Sequence, residues 1–166
     1  MYRKIEDFVN DWKYESAATL KVLNNLTDES LDKKFSDNVR TPGRLAWHIT
    51  SAVPITMNQA GIHMEGPDRN TPAPSRASEI AETYKNLSAK LPEIISQNWT
   101  DDSLIEKINV FGEDWERGKL LSIVVIHQTH HRGQLTVVMR LAGLKVPGVY
   151  GPSKEEWAGM GMPAQE

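Results

Sequence analysis

KLLSIVVIHQTHHRGQLTVVMRLA, residues 119–142, decides the fold. Twenty-four residues nearly apolar on all sides exceed any ordinary strand and predict a central helix. Gly143 follows at once and suits a left-handed C-cap. Upstream, TPGRLAWHI (residues 41–49) starts a second helix. Thr41 stands as N-cap before a proline whose missing N–H costs nothing at the first helical position. That helix should run to about Gly61, with a kink at Pro54. At the N-terminus, Ile5, Phe8, Val9, Trp12, Ser16, Leu20, Leu23 and Leu26 recur at threes and fours over residues 4–26, with a charged opposite face. Thr27 then caps a short turn through Asp28, Glu29 and Leu31, within a connector reaching Arg40.

Residues 64–76, MEGPDRNTPAPSR, read as a loop. Ser75 or Ser78 can cap a further helix carrying Ala77, Ile80, Ala81, Tyr84, Leu87, Leu91, Ile94 and Ile95, bent at Pro92. Between Thr100 and Gly118 the period is unclear, and the segment leaves room for a short strand or hairpin lip. The tail from Leu144 is rich in Gly and Pro. It allows one helical turn at Ser153 to Trp157, where Ser153 and Glu156 have capping-box spacing, and should wrap the bundle. Four long helices and no convincing sheet give an all-α four-helix bundle with irregular loops, one domain over residues 1–166.

Composition narrows the function. The chain is 39% hydrophobic and 25% charged, with a net charge of −3, so no sequence-wide positive field exists to attract nucleic acid or anionic lipid. It contains no cysteine, which removes disulfides, thiolate ligands and a cysteine nucleophile. The first residues lack the apolar core of a signal peptide and no stretch reaches a membrane span. The expectation is a soluble cytoplasmic protein without nucleic-acid or membrane partners.

The central helix carries His127, His130 and His131. A spacing of four leaves His127 and His131 about 40° apart, one turn above each other. Both fall in the stripe Leu120, Val124, His127, His131, Leu135, Val138 and Ala142, which faces the core. Unsatisfied imidazole nitrogens there would cost about 1–3 kcal/mol each, and a divalent metal satisfies them through neutral rings. His48, in LAWHI on the apolar side of the second helix, is the third candidate ligand. A His-x-x-x-His pair alone is more often two unrelated histidines than a site. The inward stripe and a third inward His change that balance. Three His ligands leave open positions, as in catalytic rather than structural sites. His63 reads as exposed, and His130 points away from the stripe, either supporting a neighbouring ligand or touching another helix. Gln128 stands where a zincin protease needs Glu, and the Glu-x-x-His repeats of di-iron bundles are missing. Zn, Ni, Fe and Co all suit three imidazoles.

HQTHHRGQLTVVMRLAGLKVPGVYGPSKEEW (residues 127–157), the TPGRLAWHI segment and the spacing between them resemble the DinB/YfiT-like family of small bacterial metalloproteins, over nearly the whole chain. The resemblance implies an up-down-down-up bundle with a long crossover, frequent homodimers, and metal histidines at His48, His127 and His131. It also implies transfer of low-molecular-weight thiols such as bacillithiol, mycothiol or glutathione to electrophiles, or thiol-dependent isomerisation. Gln128 departs from the Glu that relatives often carry there.

Three functions follow as expectations. In the first, a divalent metal at the three histidines lowers the pKa of a small-molecule thiol, which then attacks an electrophilic substrate. In the second, the same ion makes hydroxide for hydrolysis, with Glu113 or Asp114 as general base. In the third, the ion is structural in a non-catalytic dimeric bundle. Arg44 and Arg132 either steer a carboxylate-bearing thiol or lie on the surface, the latter favoured. Gln134 either binds a ligand or makes an interhelical polar contact. Trp12 and Trp47 have core spacing, while Trp47, Trp99, Trp115 and Trp157 are candidates to line a pocket.

Overall fold

The apolar run around the histidines forms α5, Arg117–Leu141, in the computed structural model, which describes residues 1–164. Its end is built as the sequence requires. Gly143, at φ 80°, donates its N–H to the Arg140 carbonyl at 3.0 Å, and Leu144 N–H reaches the Met139 carbonyl at 2.9 Å. These two bonds satisfy carbonyls the helix itself leaves free. Not all of α5 is covered, however: Ile126, Val137 and Leu141 are each about three-fifths exposed, so one face of the helix meets solvent.

The other long helices are α1 (Ile5–Leu23), α3 (Pro42–Gln59) and α4 (Ala77–Asn98), with a single turn, α2 (Asp28–Leu31), in the first connector. Thr41 caps α3 as expected, its Oγ1 accepting from Arg44 N–H at 3.2 Å. The helices α3 and α4 continue through Pro54 and Pro92. Neither Ser75 nor Ser78 caps α4. The Asp28 carboxylate accepts from Ala77 N–H at 2.7 Å instead, because a first-turn N–H needs only an acceptor and here the tertiary fold delivers one from α2. On α1 the buried residues are Phe8, Trp12, Glu15, Ala18, Thr19, Val22 and Leu23, so Glu15 and Thr19 occupy core positions expected for Ser16 and Leu20.

Two hydrophobic clusters fill the bundle. One joins Leu23 at the end of α1 to Leu45 at the start of α3, Ile80 at the start of α4 and Met139 at the end of α5. The other joins Phe8, Met57, Ile95 and Leu120 at the opposite helix ends. The helices α1 and α5 therefore run one way and α3 and α4 the other, in up-down-down-up order. Because α3 and α4 are parallel, residues 60–76 must cross the length of the bundle between them. That crossover lies beside the site.

After α4, a 3-10 turn at Asp102–Ile105 leads into β1 (Lys107–Val110), which pairs antiparallel with β2 (Glu113–Glu116), Val110 opposite Glu113. The ambiguous segment is thus a hairpin. Phe111 and Gly112 turn it with φ of 55° and 86°, the double positive φ of a tight two-residue loop. Gly adopts this freely. A bulky aromatic does not. The tail lies along α1: Tyr14 Oη donates to the Val149 carbonyl at 2.5 Å and Lys21 Nζ to the Gly148 carbonyl at 3.1 Å. Glu156 accepts from Ser153 N–H at 3.2 Å, half of the expected box, but the helical turn comes later, at Trp157–Met160. Among the described residues, no helix is long and apolar enough to cross a membrane.

Candidate metal centre

His48 from α3 and His127 and His131 from α5 meet where these antiparallel helices pack. His48 Nε2 lies 3.2 Å from His127 Nε2 and 3.0 Å from His131 Nε2. One donor nitrogen from each ring lies within 4.8 Å of the others. A tetrahedral zinc with Zn–N of about 2.0–2.1 Å would hold its nitrogens about 3.3 Å apart. The spacing matches a shared cation. A ring N–H on His48 could bond one neighbour but not both, whereas three lone pairs turned inward suit a divalent ion.

Surroundings favour the neutral, ligating form. Burial, helped by the neighbouring rings and by Arg40 and Arg44, pushes His48 down to about 4. Burial, His131, His130 and Arg40 do the same to His127, also to about 4. His131 is lowered too, chiefly by burial. Its Nδ1 stands 2.8 Å from Gln134 Oε1, so the amide oxygen fixes the proton on Nδ1 and leaves Nε2 free as a donor to metal. Gln134 thus supports a ring rather than an interhelical contact. The three-histidine cluster could hold a metal ion.

The trio is half-buried rather than sealed in the interior. On the turns that carry the histidines, the buried positions belong to Gln128 and Arg132, 3% and 2% exposed. Two clefts open beside the rings. The first, about 400 Å³, is lined by His48 and His127 with Trp47, Phe111, Arg44 and Arg69, among others. The second, about 600 Å³, is lined by His131 with Arg40, His130, Gln134 and Val137, among others.

Arg132 is not a surface residue. Its Nη2 donates to Glu15 Oε2 at 2.7 Å and to Tyr150 Oη at 2.8 Å; its Nη1 donates to Thr19 Oγ1 and to the Glu15 carbonyl, each at 3.0 Å. Tyr150 Oη in turn donates to Glu15 Oε1 at 2.5 Å. Both terminal guanidinium nitrogens meet two acceptors each. Nearby, the fully buried Tyr84 donates to Gln128 Oε1, and burial pushes the Tyr84 phenol up. Among the described residues, Gln128 Nε2 finds no hydrogen-bond partner.

The remaining candidates fall elsewhere. Glu113 and Asp114 sit exposed on the hairpin, accepting from Trp115 Nε1 at 2.8 Å and from Asn109 Nδ2 at 3.0 Å, and neither lines the cleft beside His48 and His127. The carboxylate that does is Asp68, which accepts from Asn70 N–H at 2.9 Å and Thr71 Oγ1 at 2.6 Å. Of the four tryptophans considered for a pocket, Trp47 alone lines this cleft. Trp12 and Trp99 pack in the core and Arg117 stacks over Trp99 at 5.3 Å. His63 is exposed, and so is His130, whose ring edges against His131 at 4.8 Å between centroids.

The chain and its fold are similar to known proteins. The uncharacterized protein YrdA of Bacillus subtilis (strain 168) is 42% identical over 164 residues, an alignment covering 99% of this chain and 98% of that protein. A crystal structure of a DinB-like protein from Bacillus cereus ATCC 10987 superimposes with a TM-score of 0.85 at 41% identity, covering 90% of this chain and all of the other. The DinB-like protein YjoA of Bacillus subtilis shares the fold at 20% identity, with a TM-score of 0.68 over 86% of this chain and 96% of its own. The DinB family model matches residues 1–166 from end to end. This chain belongs to the DinB family.

Proposed function

We propose that the protein transfers a low-molecular-weight thiol to a small electrophile, using a divalent transition metal held by His48, His127 and His131. The observation that carries this reading is the convergence of three neutral imidazoles beside an open cleft, without a carboxylate in the donor group. A divalent ion bound there supplies Lewis acidity, which lowers the pKa of a thiol presented to it. The residues do the rest. Gln134 holds His131 in the tautomer that ligates, and the low affinity of the rings for protons keeps them available near neutral pH. Trp47 and Phe111 give the cleft apolar walls that shed water around a reactant. In the overall reaction the thiol S–H bond and the bond from the electrophilic carbon to its leaving group break, a sulfur–carbon bond forms, and the leaving group departs with the electron pair of its bond and takes up the proton. The sulfur must be imported, since the chain has no cysteine.

Hydrolysis is less well served. Glu113 and Asp114 are tied up in the hairpin, and the hydrogen bonds to Asp68 hold it as an acceptor rather than a free base. A purely structural ion would want a fourth protein ligand, and among the described residues the donor group has three members. The solvent-facing row Ile126, Val137 and Leu141 on α5 supports a homodimer, and the site's make-up is consistent with a cytoplasmic enzyme supplied with thiol.

Metal analysis of protein purified without a histidine tag, combined with conjugation of a fluorogenic electrophile, tests the proposal. We expect one divalent ion per chain and turnover that depends on bacillithiol, mycothiol or glutathione and is lost in His127→Ala. Bound metal with no thiol-dependent turnover would overturn it.

A further inference from the structure

The chain has eight arginines, and five are matched to acids: Arg3 to Glu116, Arg76 to Glu79, Arg117 to Glu106, Arg132 to Glu15 and Arg140 to Glu155. Among the described residues, the three that make no ion pair are Arg40, Arg44 and Arg69. All three ring the histidine cluster. Arg44 and Arg69 line the first cleft, with His48 and His127, and Arg40 lines the second, with His131. A guanidinium without an acid partner is a fork of donors suited to carboxylate or phosphate. With five arginines paired, one of them in the core, and the three unpaired ones all beside one site, the molecule is arranged to receive negative charge there.

Other features of the first cleft agree. Phe111 is held at its rim by the positive-φ hairpin turn, a conformation that a bulky side chain adopts at some cost and that concentrates at functional sites. The Arg69 guanidinium lies over the Phe111 ring, 5.7 Å from its centroid, so an aromatic wall and a cation come as one unit. Gln128 also lines the cleft, and its buried Nε2 is a donor with no acceptor. Asp68 is the opposing charge in this cleft, and its carboxylate is already bonded to Thr71 and Asn70.

We propose that the electrophile taken by this cleft is a small organic acid: a flat or apolar body against Trp47 and Phe111, and a carboxylate or phosphate on Arg44 and Arg69. The assignment of this molecule as the electrophile rests on the transfer reaction proposed above; the recognition of an acid does not. Binding alone therefore tests it. Benzoate, phenyl phosphate and neutral benzamide are titrated by calorimetry into the metal-loaded protein and into four variants.

We expect benzoate or phenyl phosphate to bind at least about tenfold tighter than benzamide, the preference between the two identifying the acid group. Arg44→Gln and Arg69→Gln should each weaken the acid by about tenfold, the scale of one charge-assisted contact. Arg40→Gln, which removes the same charge from the other cleft, should change it less than about twofold, and His127→Ala should leave it in place. Equal binding of benzamide would overturn the proposal. So would an Arg40→Gln loss as large as that of Arg44→Gln, which would mean a diffuse field rather than a grip. Loss confined to His127→Ala would overturn it as well, by placing the acid on the metal. If acids bind as described while no thiol is ever transferred, the reaction fails and this inference stands.

Discussion

Two polar clusters face away from each other on the same turns of α5. On one side Arg132, Glu15, Thr19 and Tyr150 close on themselves: the guanidinium is 2% exposed and meets four acceptor atoms. On the other, His48 Nε2 lies 3.0–3.2 Å from the Nε2 atoms of His127 and His131, and among the described residues no carboxylate joins the donor group. The first cluster is finished by the chain. The second is a donor group that could hold a metal ion. Internal satisfaction of buried polar groups marks architecture, and its lack at a cleft marks binding.

The contrast can be broken from either side. Replacing any of the three histidines by Ala should lower metal affinity by more than 100-fold, beyond the roughly 10–100-fold that loss of a supporting partner costs, while moving the urea midpoint of the metal-free protein little. Competition against a chromogenic chelator measures the first and denaturation the second. Arg132→Met should do the reverse. It strands the Glu15 carboxylate in the bundle and should cost about 3–5 kcal/mol of stability, with metal affinity within a few-fold of the parent. If His127→Ala unfolds the protein as badly as Arg132→Met, the two clusters are not different in kind.

Smaller effects sharpen the comparison. Gln134→Ala frees the His131 tautomer and should weaken metal binding by about tenfold. The pH dependence of the metal-free protein carries a definite sign. His48 and His127 take protons only near pH 4 when folded, against 6.5 for a free ring. The unfolded chain therefore binds protons that the folded one refuses, and stability should fall as pH drops from about 6.5 toward 4, then level off with respect to these groups. Saturating zinc should steepen that loss, since protons then compete with the ion as well. A flat urea midpoint across this window would contradict the burial of the rings.

Much of this was legible in the residues. The run 119–142 with Gly143 announces α5 and its end, Thr41-Pro42 announces α3, and the spacing of His127 and His131 with His48 across the bundle picks out the trio. What stayed hidden depends on contacts distant in sequence. Arg132 reads as surface because helical periodicity carries no record of Glu15, 117 residues away. Glu15 itself left a trace, falling at the three-and-four spacing of Trp12, Thr19 and Val22, where an acid inside an apolar row asks for a buried partner. The cap of α4 went to Asp28 for the same reason: local chemistry names a candidate in Ser75 or Ser78, and tertiary proximity chooses another. The hairpin showed as a broken period with room for a short strand or hairpin lip and could not be placed, since Phe111-Gly112 lacks the Asn-Gly or Asp-Gly signal that such turns usually carry.

Tyr150 ties the carboxyl-terminal stretch to the heart of the molecule. Its ring is largely in solvent, 64% exposed, yet its hydroxyl touches both members of the buried ion pair. Proteolytic trimming behind Ala142 would leave every long helix intact on paper and still admit water to Glu15 and Arg132. What looks like an expendable appendage acts as a stopper, and loss of the last two dozen residues would be felt midway down the helices rather than at their ends.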